Sequence, residues 1–366
     1  MNHIAMLIPT TDQIGGAERQ VLELSKALAA KGWRVTLIAL SGNGSTTAHE
    51  LADTGVTHLS LEMRKAWIDP RGWLRYRRWA RQHRPQIVHA HLPHSTYFAR
   101  FVRLFNPVRV VIETIHTSNT GSASRQRGYR LTNPLSNWTT CVSNSVADKA
   151  LEATIVSARK LSVIPNGVHL PVERHIIAKP RDFRWIAVGR LSPVKDYPTL
   201  LRAFAQLPSY AHLEVAGTGP EEHHLRALAN ELRIADRVHF AGFQSDVQPL
   251  IANADAFVLS SLWEGLPVSV LEASAGGLPI VATDGAGTRE AMIPDVTGLI
   301  VPVGNVMALA NAMSAVMALT HNQRRQMGAH GRQLIRERFT LPIVVNRWEE
   351  LYRRLLSEHP DPKRRT

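Results

Sequence analysis

Short apolar runs alternate with longer helix-length segments along this chain, and the alternation happens twice. In the first half the runs are residues 3–9, 33–40, 86–90, 108–115, 139–143 and 160–165; in the second they are 185–188, 212–216, 238–240, 256–259, 279–282 and 299–301. Strands separated by helices imply parallel sheets built from crossover units. Between the two series lies 168–184, with Pro171, Pro180 and mixed charge, which reads as a linker. A length of 366 residues is more than one ordinary core holds, so two α/β domains are expected.

Composition then removes several classes of protein. Hydrophobic residues at 44% and charged residues at 20% describe a soluble globular chain. One cysteine, Cys141, excludes an internal disulfide framework and fits a reducing compartment. No run of about 18 apolar residues occurs, and the N-terminus enters the strand-like IAMLIP without a basic leader, so a cytoplasmic address is expected.

The formal charge of +13 is unevenly placed. Residues 1–179 carry 23 Lys/Arg against 11 Asp/Glu, a net of +12, whereas 180–366 carry 20 against 19, a net of +1. The first half therefore suits an anionic partner: a membrane surface, a phosphorylated lipid or a nucleic acid. Much of the excess sits in 67–84, WIDPRGWLRYRRWARQHR, where Trp67, Trp73, Tyr76 and Trp79 interleave with arginines. As a helix, this segment puts Arg71, Arg75 and Arg78 on one stripe and Arg77, Arg81 and Arg84 on its neighbour. Two readings fit: a face lying on anionic headgroups with Trp at the interface, or a crossover helix burying Leu74 and the aromatics and solvating its arginines.

Candidate site residues follow strand ends. Gly15-Gly16 opens the first helix; the pair suits close approach of a ligand to the backbone or a plain turn, and it is not a G-x-G-x-x-G fingerprint. His116 ends the run 108–115 and is followed by TSNTGSASRQRGYR, which carries Arg125, Arg127 and Arg130 and reads as a loop for want of an apolar pattern. In the second half, Gly189-Arg190 with Lys195, and the loop Gly217-Thr218-Gly219-Pro220, follow strands and suit phosphate. The stretch 260–283, SSLWEGLPVSVLEASAGGLPIVAT, holds Glu264 in a loop and Glu272 inside an apolar helix starting at Leu266-Pro267. A helix mouth with two acceptors is a cradle for a phosphorylated sugar; two glutamates alone also fit a solvated helix.

Taken together these motifs resemble the retaining, nucleotide-sugar-dependent glycosyltransferases of family 4. The resemblance runs over nearly the whole chain: Gly15-Gly16, His116, VIPNGV at 163–168, GRLSPVKDY at 189–197, AGTGP at 216–220, and the E-x7-E pattern of Glu264 and Glu272 followed by GGLPIVAT and GAGTRE. It implies the GT-B architecture, two Rossmann-like domains facing a central cleft with a C-terminal closing helix. The implied division is 1–168 for the acceptor domain, 169–184 for the linker, 185–340 for the donor domain, 341–358 for a closing helix packing back toward the first domain, and 359–366 for a tail.

By the same resemblance Arg190 and Lys195 grip the donor diphosphate, and Glu264 is directed at the sugar hydroxyls with the backbone of Gly265 and Leu266 beside it. Glu272 accepts from the ribose hydroxyls, Gly217 lines the donor site, His116 lies near the reacting sugar, and Gly15-Gly16 closes over the phosphates. Trp73, Arg75, Arg77, Arg78, Arg81, Arg125 and Arg127 are the residues assigned to membrane or acceptor. The implied reaction moves a hexose or N-acetylhexosamine from a nucleotide-diphosphate sugar, UDP-sugar favoured, to a glycan acceptor in cell-surface polysaccharide biosynthesis. That acceptor is lipid-linked, through polyprenyl diphosphate or a lipopolysaccharide core, at the inner face of the cytoplasmic membrane. The nucleotide sugar is a co-substrate, and no cofactor is expected. No D-x-D occurs, so no metal is expected either, the cations at 190 and 195 standing in for its charge. Two alternatives remain: a nucleotide-sugar 2-epimerase of the same fold, and a basic nucleic-acid or membrane-surface binding protein without activity. Against nucleic acid, there is no zinc spacing or basic-region zipper, and the Arg/Trp run precedes a Rossmann strand.

Overall fold

In HIAMLIPT, the first strand β1 (His3–Thr10), successive side chains leave on opposite faces, and both faces are covered. Ile4, Met6 and Ile8 enter one buried cluster, Ala5 and Leu7 another. A strand buried on both sides reads as a continuous apolar run, which is why these segments lack polar alternation. The computed structural model describes residues 2–12, 15–64, 68–106, 108–172 and 182–360, without the side chains of residues 45 and 46.

The chain divides into two units: residues up to Gly167 together with those from Leu341, and residues Val168–Thr340. The first unit continues with β2 (Arg34–Ser41), β3 (Val56–Ser60), β4 (Ile87–His91), β5 (Val110–Ile115), β6 (Trp138–Cys141) and β7 (Leu161–Val163), in the parallel order β3-β2-β1-β4-β5-β6-β7. The second contains β8 (Phe183–Val188), β9 (Ala211–Ala216), β10 (Val238–Gly242), β11 (Ala256–Leu259), β12 (Ile280–Thr283) and β13 (Gly298–Val301), in the parallel order β10-β9-β8-β11-β12-β13. Both sheets grow outward in two directions from their first strand. The order reverses between β1 and β4 in one unit and between β8 and β11 in the other, and ligands of open α/β sheets bind at the carboxyl side of such points. β3 belongs to none of the apolar runs, because VTHLS is polar at three of its five positions and sits at the sheet edge.

Helices Gly16–Ala30 and Leu341–Glu358 cover one face of the first sheet, sharing a cluster with Leu22, Leu28, Trp348 and Tyr352. Glu349 fixes the second of these, accepting from Trp33 Nε1 at 2.9 Å and Lys31 Nζ at 2.6 Å. Where the chain enters the second unit, the Val168 N–H donates to the Phe339 carbonyl at 2.8 Å. Residues 173–181, most of the expected linker, and 361–366, most of the expected tail, lie outside the described residues. Phe183 and Arg184, also assigned to the linker, are in β8.

Two expectations are corrected here. The segment after His116 is not all loop: Ala123–Thr132 is a helix capped by Ser122. Its one buried side chain is Tyr129, so no apolar stripe marks it; instead it is held from outside. Arg100, fully buried and paired with Glu113, donates through Nη1 to the Tyr129 carbonyl at 2.9 Å and to Thr132 Oγ1 at 2.7 Å. The second correction concerns helix Pro70–His83. Tyr76, Trp79 and Ala80 face the core and Trp73 packs edge-on against Phe98 and Phe105, so the aromatic side is not interfacial. Leu74 is not buried with them. At 64% exposure it points away from the core, on the same side as exposed Arg71, Arg75, Arg77, Arg78 and Arg81. Helical periodicity explains both, since 76, 79 and 80 share a face that 74 cannot join. Trp67 lies outside the described residues.

Candidate active site

The polar groups of the second unit gather at its switch point. β8 ends at Val188 and leads into Gly189, Arg190 and the turn Pro193–Lys195; β11 ends at Leu259 and leads into Ser260, Ser261 and Glu264. Two loops from neighbouring strands thereby meet. Lys195 Nζ donates to Glu264 Oε1 at 2.5 Å, and both side chains are largely buried. Ser261 Oγ donates to the same carboxylate oxygen at 2.6 Å, and Ser260 Oγ donates to the Lys195 carbonyl at 2.7 Å. One serine holds the acid and the other holds the base.

Space beside this pair is kept by residues without a β-carbon. Gly217 follows β9 at φ 143°, and a β-carbon there would lie 2.0 Å from the Gly189 carbonyl oxygen. The Tyr197 hydroxyl donates to that same carbonyl at 3.1 Å; burial, and after it the nearby Glu264 charge, raise the phenol well above its ordinary range, so it stays a donor. Gly287, in the G-A-G-T-R-E turn, has its β-carbon position 1.9 Å from the Gly265 carbonyl oxygen. Thr283 Oγ1 ties the two segments further by donating to the Ser261 carbonyl at 2.6 Å.

Sequence-based expectations divide here. Lys195 and Glu264 come together, with Gly265 and Leu266 buried next in the chain. Arg190 does not join them: it is exposed, and its guanidinium makes no hydrogen bond among the described residues. Pro267 stands just before helix Val268–Ala275 and not within its first turn; Glu272 is half-buried in the second turn. Ser260 and Ser261 were not singled out, although a polar pair directly after a buried strand is a readable signal.

Gly15, Gly16 and His116 belong to the first unit. Gly15 precedes the first turn of helix Gly16–Ala30, its N–H donating to Glu18 Oε2 at 3.1 Å. His116 follows β5 and lines a shallow recess, open to solvent, with Gln20, His91, Thr114, Asn166 and Trp348. Burial lowers its imidazole to about 4. Its Nε2 lies 3.0 Å from Nδ1 of His91, the last residue of β4. His91 was missed; its signal is the alternation His89-Ala90-His91, which puts two histidines on one face of a strand. Arg125 and Arg127 are exposed on helix Ala123–Thr132.

Residues 14–171 match the family model described as Glycosyltransferase Family 4, and residues 173–334 match that described as Glycosyl transferases group 1. The chain belongs to the family 4 glycosyltransferases. A lipopolysaccharide core biosynthesis glycosyltransferase of Rhizobium meliloti, LpsE, is 28% identical to it over 356 residues, covering 94% of this chain and 97% of that protein. Among solved structures, Anabaena HepE in complex with UDP and glucose has a TM-score of 0.84 at 18% identity, over 97% of this glycosyltransferase and 100% of that chain. Sucrose-phosphate synthase from Thermosynechococcus elongatus gives 0.86 at 21%, over 98% and 100%. These likenesses establish the GT-B fold, two parallel-sheet Rossmann-like domains.

Proposed function

We propose that this glycosyltransferase moves a hexose or N-acetylhexosamine, with retention and without a metal, from a nucleotide-diphosphate sugar to a lipid-linked glycan. The observation that carries the donor side is the Lys195–Glu264 pair at the switch point of the second sheet. A cation suits phosphate oxygens and a carboxylate suits vicinal hydroxyls. When the diphosphate arrives, its charge draws Lys195, and Glu264, still held by Ser261, accepts from the sugar. Arg190, exposed and apart from this pair, turns in to add the charge that stabilises the leaving diphosphate, while Gly217, Gly265 and Leu266 line the donor and Glu272 takes the ribose hydroxyls. In a front-face departure the C–O bond to the diphosphate breaks as the acceptor oxygen bonds to the same carbon, and the acceptor proton passes to the diphosphate. His116 and Gly15-Gly16, in the first unit, are the residues that the family resemblance assigns to the reacting sugar and the phosphates. UDP is the favoured nucleotide: HepE was solved with UDP and glucose, and LpsE bears a name from lipopolysaccharide core synthesis.

The acceptor side rests on the first unit's charge. Ile68 and Leu74 on or beside helix Pro70–His83, and Leu104 and Phe105 at the end of helix Pro93–Phe105, are exposed; Leu74 shares its side of the helix with exposed arginines, and Trp73 links the two helices through Phe105. Apolar side chains rimmed by cations suit an anionic bilayer, which supports peripheral attachment at the cytoplasmic leaflet.

Turnover of UDP-hexoses with and without a membrane-extracted acceptor tests the reading. Lys195→Ala or Arg190→Ala should lower kcat by about 10²–10³-fold with the fold intact. Unchanged turnover would remove the site; a changed sugar with donor alone would favour epimerisation.

A further inference from the structure

His91 ends β4, at the switch point of the first sheet, and is 2% exposed. Its ring is packed from two sides. His89 lies 4.0 Å away between centroids and is itself pinned, with Nδ1 2.7 Å from the Tyr352 hydroxyl and Nε2 2.7 Å from Thr114 Oγ1, which in turn is 2.7 Å from Thr140 Oγ1. On the other side stands His116, 5.3 Å between centroids. The His91 Nδ1 to His116 Nε2 contact of 3.0 Å is the one hydrogen bond that either ring makes among the described residues.

We propose that His91 is a positioning residue, holding the ring plane of His116 and tying its tautomer to its own through the bond between His91 Nδ1 and His116 Nε2. Burial keeps both imidazoles neutral at ordinary pH, with neighbouring histidines adding to the effect on His91. Each neutral ring carries one proton, and a hydrogen bond between them needs one N–H and one lone pair. The outer atoms, His91 Nε2 and His116 Nδ1, are then always opposite in kind, one donor and one acceptor. Both are buried without a partner among the described residues. The tautomer of His91 therefore decides whether His116 Nδ1 is a donor or an acceptor. Any effect of His91 on turnover passes through His116, so the inference rests on the transferase reading for its consequence and on the geometry of the pair for its cause.

Two measurements separate those. In ligand-free protein with 15N-labelled histidine, a nitrogen–nitrogen coupling across the His91–His116 bond is expected, together with His116 ring shifts of a hydrogen-bonded Nε2. His91→Leu should move the His116 ring shifts away from these values; His91→Asn, whose amide reaches the Nδ1 position, should keep them close to those of the unaltered protein. With UDP-sugar, His91→Leu should lower kcat by up to about 10²-fold with little change in donor KM, and His91→Asn should restore most of it. Absence of the coupling in the unaltered protein, which depends on no variant folding, overturns the proposal. So do unchanged His116 shifts in a folded His91→Leu. Failure to turn over any UDP-sugar removes the UDP-donor reading and leaves the ring measurements to decide the pairing.

Discussion

A β-carbon at Gly287 would collide with the Gly265 carbonyl at 1.9 Å, and φ there is 85°. Gly287→Ala therefore brings a steric clash with backbone and left-handed strain of about 1–3 kcal/mol. Because Gly265 follows Glu264, relief of the clash must move the loop that carries the carboxylate. Donor KM is expected to rise by more than the loss of stability accounts for, as read from UDP-sugar kinetics beside thermal melts; an unchanged KM would place this turn outside the donor site. Residue identity was readable at this scale where chemistry and spacing coincide, as in Glu264 and Lys195. Their pairing was not, because 69 positions separate them and only the meeting of two strand-end loops joins them.

At the scale of elements, helix Pro70–His83 shows how one periodic segment serves two surroundings. Its Tyr76 and Trp79 stabilise the first core, each burial contributing roughly 1.5–3 kcal/mol, while Leu74 and the arginines are left outside. Replacing Arg75, Arg77, Arg78 and Arg81 with Gln should release the protein from anionic liposomes in sedimentation. Leu74→Glu should do so with the basic charge otherwise retained, and binding unaffected by either change would sink the membrane assignment. The sequence supplied the arginine stripes, but not which apolar residues accompany them. That depended on the rotation of the helix against the sheet, which Tyr76 and Trp79 fix. Helix Ala123–Thr132 escaped the pattern altogether, since its anchor is Arg100 on another element.

The whole molecule carries a pH signature. His89, His91 and His116 are held below their ordinary value of 6.5 by burial, His116 to about 4. Their neutral forms are favoured in the fold, so between about 4 and 6.5 the unfolded chain binds more protons than the folded one. Stability should be full above about pH 6.5 and fall as pH drops toward 4. Urea midpoints at pH 7.5, 6 and 5 measure this, and a midpoint that stays level or rises across that series would mean that these imidazoles titrate normally. The effect belongs to the first unit, where all three histidines lie.

By itself the sequence determined the class of fold and supplied the candidates for the donor site. Apolar runs buried on both faces leave no other arrangement than a covered parallel sheet, and phosphate and sugar ask for side chains whose identity survives in a linear string. Tertiary structure alone decided that Lys195 meets Glu264 while Arg190 stays apart, and that His91 stands against His116. Those are contacts between residues far apart in the chain, set by which strands are neighbours in a sheet, and strand order is not written in local periodicity.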